Sequence, residues 1–430
     1  MTNSPENSAA LLARRERVLS PTYRLFYDQP LQIVRAEGVW MYGEDGRRYL
    51  DAYNNVPVVG HCHPQVVEAL TRQARTLNTH TRYLAEQPLQ LAEQLLATLS
   101  LDPGSVIFTC TGSEANDLAV RISKAVTGGS GFIITDFAYH GATETMAGMS
   151  PEDGAPLGPG VYTVAPPLGP DGAATFGHRV RQCIERMRSD GVRLAGMLVD
   201  TIFSSEGVVA DPRGLLAEAA SAVQAAGGLF IADEVQPGFG RLGETMWGFQ
   251  RHGIVPDLIT MGKPMGNGHP IAAVAGRARV FAEFATGRRY FNTYGGNSVS
   301  CAAALAVLEV IRSEKLLENA RRTGEYLQRG LSALAQRHAA IRAIRGAGLF
   351  IGVELGTNSA SGLGGAAETQ RVVNGMRRRG VLVGSTGRDG NVLKIRSPLT
   401  LEPQHADVLL EALDHTLQSS SSAVSSPAVT

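Results

Sequence analysis

Short apolar runs alternate with helical patterns through the middle of this 430-residue chain. Five runs are apolar enough to be buried strands, at 106–108, 132–135, 197–199, 229–232 and 258–261. Helical patterns separate them, for example at 114–127 and 215–226. This alternation predicts a large, doubly wound and mostly parallel α/β sheet. Ligands bind such sheets at the carboxyl ends of the strands, so the loops after these runs are candidate sites.

The flanking segments predict a second, smaller α+β domain. Strands near 349–353 and 392–395 precede a closing helix near 403–417, and N-terminal strands near 32–34 and 40–42 are expected to complete the same domain. We place the N-terminal part of this domain at residues 1–75 and its C-terminal part at 316–417, with the large domain at 76–315 between them. The Ser-rich residues 418–430 are expected to be a disordered tail.

Composition excludes several classes of protein. Lys and Arg together number 40, as do Asp and Glu, so no basic excess favours nucleic acid. No apolar stretch is long enough to span a bilayer, so no membrane role is expected. The four cysteines are scattered and the N-terminal residues are polar, which favours a cytoplasmic location without disulfides.

The loop after the first apolar run has the composition of an anion site. Gly112 and Ser113 stand at the start of a predicted helix, where backbone N–H groups, a hydroxyl and the helix dipole all attract a phosphate. The alternative is that Ser113 is an ordinary N-cap that satisfies the first amides of the helix.

Two later loops carry ionisable side chains. Asp233 and Glu234 directly follow the run 229–232, although acids at a strand end are common. Lys263 lies between the run 258–261 and a Gly-rich turn. A lone lysine is normally a solvated charge, but one in this setting is more often kept inside for amine chemistry.

The His61-Cys62-His63 cluster suggests a metal site, which we reject. Three potential ligands are adjacent, but no second cluster supplies the rest of a tetrahedral site. We therefore expect no metal, and we interpret the segment as a turn with packed histidines between Gly60 and Pro64.

Taken in order, these segments resemble the fold-type-I pyridoxal-phosphate enzymes of the class III (omega) aminotransferase family, from about residue 30 to 417. The shared motifs are Gly-His-x-His-Pro at 60–64, Gly-Ser-Glu-Ala at 112–115, Tyr-His-Gly at 139–141, Asp-Glu-Val-Gln-x-Gly-Phe-Gly-Arg at 233–241 and Gly-Lys at 262–263. The resemblance implies an aspartate-aminotransferase-like fold with pyridoxal phosphate as cofactor.

The resemblance also implies roles for individual residues. Lys263 would form the Schiff base with the cofactor, and Asp233 would keep the pyridinium nitrogen protonated so that the ring acts as an electron sink. Gln236 would lie near the phenolic oxygen of the ring. Tyr139 would stack on the ring face.

Gly112 and Ser113 would hold the cofactor phosphate, and Thr293 would reach that phosphate from the neighbouring subunit. The family shares its active sites across a dimer interface, so a homodimer is the minimum assembly implied. Whether dimers pair into tetramers stays open.

The sequence is most similar to a subgroup of this family, the phospho-lyases that act on ethanolamine phosphate or 5-phosphohydroxylysine. The similar segments are 54–64, 78–84, 112–119 and 391–399, and the Asn-Thr-x-x-Arg stretch that ends at Arg82 discriminates best. The resemblance favours β-elimination of phosphate from ethanolamine phosphate, which gives acetaldehyde, ammonia and phosphate. The alternatives are an omega-aminotransferase, which passes an amino group to a keto acid, and a racemase or other outcome.

A dianionic phosphate needs cations, and Arg82 and Arg396 are the candidates because guanidinium groups bind phosphate through two hydrogen bonds. Each has another interpretation: Arg396 as the carboxylate-binding arginine of related aminotransferases, and Arg82 as a surface charge. The chain also departs from the family at Asp200, where a glutamate is usual. A shorter acid there could alter a salt bridge to the substrate-binding arginine.

Overall fold

The computed structural model describes residues 8–169, 171–356 and 364–421. Its α-helices are α1 (Ser8–Val18), α2 (Pro64–Thr76), α3 (Glu86–Leu99), α4 (Gly112–Thr127), α5 (Glu144–Ala147), α6 (Gly172–Ser189), α7 (Ala217–Ala225), α8 (Ala278–Ala285), α9 (Ser298–Ser313), α10 (Leu316–Arg337), α11 (Gly365–Arg378) and α12 (Pro403–Ser421). Its strands are β1 (Ile33–Glu37), β2 (Trp40–Gly43), β3 (Arg48–Asp51), β4 (Gly104–Thr109), β5 (Gly131–Thr135), β6 (Val161–Val164), β7 (Leu194–Asp200), β8 (Leu229–Asp233), β9 (Leu258–Met261), β10 (Ala272–Arg277), β11 (Ile341–Ala347), β12 (Phe350–Leu355), β13 (Val381–Leu382), β14 (Gly384–Thr386) and β15 (Val392–Arg396).

The large sheet has seven strands in the order β4-β10-β9-β8-β7-β5-β6. Strands β5 to β9 are parallel to their neighbours within this group, and β10 is antiparallel to both β4 and β9. The prediction of a mostly parallel, doubly wound sheet is therefore confirmed. All five apolar runs are strands, whereas β6 and β10 were not predicted, since the first is short and the second is mostly alanine and glycine.

Two four-stranded sheets form the smaller part of the fold, in the orders β1-β2-β3-β13 and β11-β12-β15-β14. Strand β13 pairs in parallel with β3, so the N-terminal strands and the C-terminal part share one sheet. This pairing follows the expectation that the N-terminal segment completes the C-terminal domain. The domain boundaries themselves stay a prediction.

The last helix corrects one expectation. Helix α12 continues to Ser421, so the predicted disordered tail is wrong for residues 418–421, while 422–430 lie outside the described residues. Extending an existing helix by one turn costs far less free energy than starting a new helix. Polar residues such as serine can therefore continue α12. Within the described ranges, no helix is both long and apolar enough to cross a membrane.

A buried acid lies beside the edge where strands β5 and β7 end, which we call the carboxyl edge of the sheet. Glu206 is 3% exposed, and the hydroxyl of Thr135 donates a hydrogen bond to it. Burial raises the pKa of Glu206 to about 7, and the negative charge of Asp200 adds to this effect, although Thr135 and His140 oppose it. A glutamate in an unfolded chain titrates near pH 4.3, so folding here opposes ionisation.

We predict that Glu206→Gln stabilises the apo protein at pH 8 and not at pH 4. An acid whose pKa is raised in the folded state costs no stability below its unfolded pKa. The cost grows as the pH rises towards the folded pKa of about 7 and is then constant. The neutral glutamine avoids it, for a gain on the order of 2–3 kcal/mol at pH 8. Urea unfolding at both pH values measures this, with the exposed Glu93→Gln on α3 as the control. Equal stability of variant and wild type at pH 8 would contradict it.

Candidate active site

Loops at the carboxyl edge enclose a cavity of about 180 Å³. It lies between the end of β8, the start of α4 and the loops after β5 and β9. Its lining residues are Gly112, Ser113, Asn116, Tyr139, His140, Gly141, Asp200, Asp233, Val235, Gln236 and Lys263. Six of the residues that the sequence singled out for the cofactor thus line one cavity.

Lys263 enters this cavity from the loop after β9. Its backbone has φ +30°, in the left-handed region that non-glycine residues rarely adopt, so the surrounding fold holds this position firmly. Removal from water lowers the pKa of the Lys263 ammonium, and the charge of Asp233 only partly opposes this. A lowered pKa makes the neutral, nucleophilic amine more available.

Asp233, at the end of β8, faces Lys263 across the cavity and is 4% exposed. Its Oδ2 accepts hydrogen bonds from Asn116 Nδ2 at 2.9 Å and from His140 Nδ1 at 2.7 Å, and its Oδ1 accepts one from Val235 N at 3.1 Å. Burial alone would raise the pKa of Asp233, but the hydrogen bonds from His140 and Val235 and the charges of His140 and Lys263 outweigh burial and lower it. Asp233 is therefore held as a carboxylate.

Asn116 and His140 were not identified as site residues from the sequence. Asn116 lies one helical turn after Ser113 on α4, and its Oδ1 accepts a hydrogen bond from the Thr260 hydroxyl at 2.6 Å. His140 follows Tyr139 and is 3% exposed. The helical spacing of Asn116 from Ser113 was the available signal for the first, and the Tyr-His-Gly motif was the signal for the second.

The start of α4 forms an anion cup. The N-cap is Thr111, whose hydroxyl accepts from Glu114 N at 3.2 Å, so the interpretation of Ser113 as the N-cap is wrong. The Ser113 hydroxyl instead accepts from Ala142 N at 3.1 Å. A Cβ on Gly112 would lie 2.7 Å from a methyl carbon of Val235, which is why a glycine is needed here. The cup thus offers first-turn N–H groups at a helix N-terminus, a fitting site for a phosphate.

Tyr139 and Gln236 complete the walls of the cavity. Burial raises the pKa of Tyr139, and the acids Asp153 and Glu152 add to that effect, so its phenol stays neutral. Gln236 Oε1 accepts a hydrogen bond from Arg396 Nη1 at 3.1 Å. Gln236 therefore joins the cofactor cavity to the arginine that the sequence proposed for the substrate.

Arg82 and Thr293 do not line the cavity of their own chain. Both side chains are exposed, and the Arg82 guanidinium lies 3.9 Å from the ring centroid of Phe291. The structure therefore places the two residues in neighbouring segments of the surface, which a single chain does not bring to its own site.

A second buried cation, Lys394, accompanies Arg396. The two residues are two positions apart on β15 and share one face, whereas Leu393 and Ile395 on the other face are in the hydrophobic core. Burial and the charge of Arg396 together lower the pKa of Lys394 to about 7. Burial also lowers the pKa of Arg396. Lys394 was not identified from the sequence, because the period of two along a strand places it on the face of Arg396 but does not show that it is buried.

No carboxylate among the described residues lies within 4.0 Å of either cation. Arg396 Nε is buried and has no hydrogen-bond partner in the described chain. Lys394 Nζ lies 5.8 Å from the ring centroid of Phe350. Lys394 is buried and Arg396 is half-buried, and charges withdrawn from water without a counter-ion are costly, so this pair is a candidate to bind an anionic ligand.

Asp200, the departure from the family pattern, does not neutralise the pair. Its Oδ1 accepts from Ile202 N at 3.0 Å, and its Oδ2 accepts from the backbone N–H at 3.2 Å and from the hydroxyl of Ser204. Burial raises the pKa of Asp200 despite these donors. The acid is bound within its own loop rather than to Arg396.

The histidine cluster has ordinary partners. His61 Nε2 lies 2.7 Å from Asp51 Oδ2, and His63 Nε2 lies 3.0 Å from Glu314 Oε1. Within the ranges that the structure describes, no group of three His, Cys, Asp or Glu side chains could hold a metal ion.

Relatives and solved structures resemble this chain along nearly its whole length. A phospholyase from Arthrobacter, solved in complex with phosphoethanolamine, is 41% identical with a TM-score of 0.90, covering 95% of this chain and 99% of the other. Ethanolamine-phosphate phospho-lyase homolog 1 of Caenorhabditis elegans is 34% identical, covering 97% of this chain and 95% of the relative. An alanine–glyoxylate aminotransferase 2-like protein of Drosophila melanogaster is 37% identical over 92% of this chain and 84% of the relative.

The family model for class III aminotransferases matches residues 25–417. The cup at α4, the carboxylate of Asp233 and the amine of Lys263 fit the phosphate, ring nitrogen and aldehyde of pyridoxal phosphate, which is the cofactor. The chain belongs to the class III aminotransferase family of fold-type-I pyridoxal-phosphate enzymes.

Proposed function

We propose that this enzyme eliminates phosphate from ethanolamine phosphate, consuming one water and releasing acetaldehyde, ammonia and inorganic phosphate. The observation that carries the proposal is the pair formed by the buried Lys394 and the half-buried Arg396, which lies beside the cofactor cavity without a counter-ion among the described residues. A phosphate ester near neutral pH is a dianion, and two cations match its charge. A carboxylate carries a single negative charge and needs one arginine.

The residues divide the chemistry between them. Pyridoxal phosphate, when bound, supplies an electron sink for negative charge on the carbon attached to the substrate nitrogen. The Lys263 amine takes the proton from that carbon, which its lowered pKa allows. Asp233, hydrogen-bonded by Asn116 and kept ionised mainly by His140, holds a proton at the ring nitrogen. Lys394 and Arg396 bind the phosphate group and stabilise its negative charge as the carbon–oxygen bond breaks.

The surface around Arg82 and Thr293 supports a homodimer with shared sites. Tyr83, Leu84 and Tyr294 are 65%, 101% and 71% exposed, an unusual amount of apolar surface for two adjacent segments. In the proposed dimer this surface packs on the second copy. Thr293 then reaches the cofactor phosphate of that copy, and Arg82 approaches its substrate.

Two relatives support the reaction. The Arthrobacter phospholyase was solved with phosphoethanolamine, and the nematode relative is named for the same activity. The Drosophila relative is named as an aminotransferase, and the hydrogen bond between Arg396 and Gln236 is compatible with a carboxylate-binding arginine. An omega-aminotransferase is therefore the second candidate.

The deciding experiment incubates the cofactor-loaded protein with ethanolamine phosphate in the absence of any keto acid. We expect acetaldehyde and inorganic phosphate to appear in equal amounts, because elimination needs no amino acceptor. Lys263→Ala, without the base, should release neither. If turnover instead requires pyruvate or 2-oxoglutarate, the enzyme is an aminotransferase.

Lys394→Gln should lower kcat/KM for ethanolamine phosphate by about 10- to 100-fold, because a hydrogen bond to a charged group contributes about 1.5–3 kcal/mol. The same variant should change the binding of ethanolamine, which has no phosphate, much less; the shift of the visible absorbance of the bound cofactor on titration measures this. Lys124→Gln, at an exposed lysine on α4, is the control. If Lys394→Gln weakened ethanolamine and ethanolamine phosphate equally, Lys394 would not be a phosphate-binding residue.

A further inference from the structure

The acids nearest to the Lys394–Arg396 pair are mostly committed to other donors. Asp51, whose charge acts on Arg396, accepts from Tyr53 N at 3.0 Å, from Asn54 N at 2.9 Å and from the His61 ring. Asp200 is bound within its own loop, as described above. Neither acid is free to move onto the cations.

Glu152 is different. It lies on the short turn Pro151–Asp153, where its backbone N–H donates to the carbonyl of Ala138, next to Tyr139, at 3.2 Å, and its side chain is exposed. The Ser205 hydroxyl donates to Glu152 Oε2 at 2.6 Å, and this is the tether that holds the carboxylate near the site. An exposed glutamate held through one oxygen can change rotamer at little cost.

The charge of Glu152 acts on both cations and on the cofactor lysine. Burial and Arg396 lower the pKa of Lys394 to about 7, and Glu152 is the largest of the charges that oppose them, ahead of Asp200. Glu152 also opposes the lowering of the pKa of Arg396 by burial. The Ser205 backbone oxygen accepts a hydrogen bond from the Thr386 hydroxyl at 3.0 Å, and Thr386 on β14 pairs with Val392, which shares one face of β15 with Lys394 and Arg396. Glu152, held by the Ser205 hydroxyl, therefore lies on the side of the sheet that carries the pair, yet it makes no ion pair with it among the described contacts.

We propose that Glu152 is the gating acid of the anion site: it competes with phosphate for Lys394 and Arg396 and speeds release of the inorganic phosphate product. The inference rests on the proposed function, since it assumes that the pair binds phosphate. A dianion held by two buried cations leaves slowly, because departure exposes both charges without a partner. A carboxylate that moves onto the cations as phosphate departs lowers that cost.

The test measures binding of inorganic phosphate to the cofactor-loaded protein by calorimetry, with product inhibition as a second readout. Glu152→Gln removes the competing charge and should tighten phosphate binding roughly 3- to 10-fold, the range expected for one partly exposed charge. The KM for ethanolamine phosphate should fall as well, and kcat should fall wherever phosphate release limits turnover. A variant with a merely structural defect would not tighten binding.

Two further variants sharpen the result. Asp153→Asn removes a charge from the adjacent position, which acts on Tyr139 but not on the cations, and should leave phosphate binding unchanged. Ser205→Ala releases the tether and should weaken phosphate binding, the opposite direction to Glu152→Gln. In the double variant with Glu152→Gln and Ser205→Ala, there is no carboxylate for residue 205 to hold. Its affinity for phosphate should therefore equal that of Glu152→Gln alone.

The outcomes separate the two proposals. If the wild-type protein binds no inorganic phosphate and releases none from ethanolamine phosphate, the proposed function fails and the gate fails with it. Suppose instead that the wild-type protein binds inorganic phosphate and releases it from ethanolamine phosphate. If Glu152→Gln then binds phosphate no more tightly than wild type, or Asp153→Asn changes phosphate binding as much as Glu152→Gln, only the gating role of Glu152 is wrong.

Discussion

The carboxylate of Asp233 is the interaction on which the rest of the site depends. It ends the central strand of the large sheet, and three elements supply donors to it: α4 through Asn116, the loop after β5 through His140, and its own loop through Val235. Buried without these donors, the acid would take up a proton and lose its charge. The same donors fix the positions of α4 and the β5 loop, which carry the phosphate cup and Tyr139.

Charge is arranged very differently on the two sides of the cavity. Asp233 is buried and accepts hydrogen bonds from three donors, so it is already a carboxylate before any ligand binds. On the β15 side, Lys394 is buried and Arg396 half-buried, and neither forms an ion pair within the described chain. Such a pair destabilises the empty protein. Destabilising groups of this kind are kept where a ligand compensates their charge. For this reason we place the substrate site on the β15 side of the cavity.

Much of the fold and of the cofactor site follows from sequence, because both depend on local patterns. Five apolar runs are strands of the large sheet, and the loops after three of them carry Gly112, Asp233 and Lys263 to one cavity. Strand β10 was missed because its alanines are weakly apolar and its burial comes from neighbouring strands. Lys394 was missed because a lysine inside a strand is ordinarily solvent-facing. Its burial follows from the pairing of β15 with β12 and β14, which no local pattern shows.

Arg82 and Thr293 show a different limit. Their positions in the sequence match motifs, yet one chain leaves them on its surface beside exposed aromatic residues. In the proposed homodimer a second copy completes the site, and the single chain shows this only as apolar surface that a monomer would be expected to cover.

The choice between elimination and amino transfer is made away from the cofactor. Lys263, Asp233 and the phosphate cup serve either reaction, since both begin with loss of a proton from the carbon next to nitrogen. What differs is whether the neighbouring carbon carries a group that can leave with its electron pair, and which acids remain free beside the cations that would hold that group. In this chain Asp200 is hydrogen-bonded within its own loop, and Glu152 is held by the Ser205 hydroxyl rather than by either cation. An acid fixed inside the pair would neutralise one cation and leave a site suited to a carboxylate. In the proposed function no acid is fixed inside the pair, which leaves both cations for a dianion, so the placement of one carboxylate would set the preferred substrate charge.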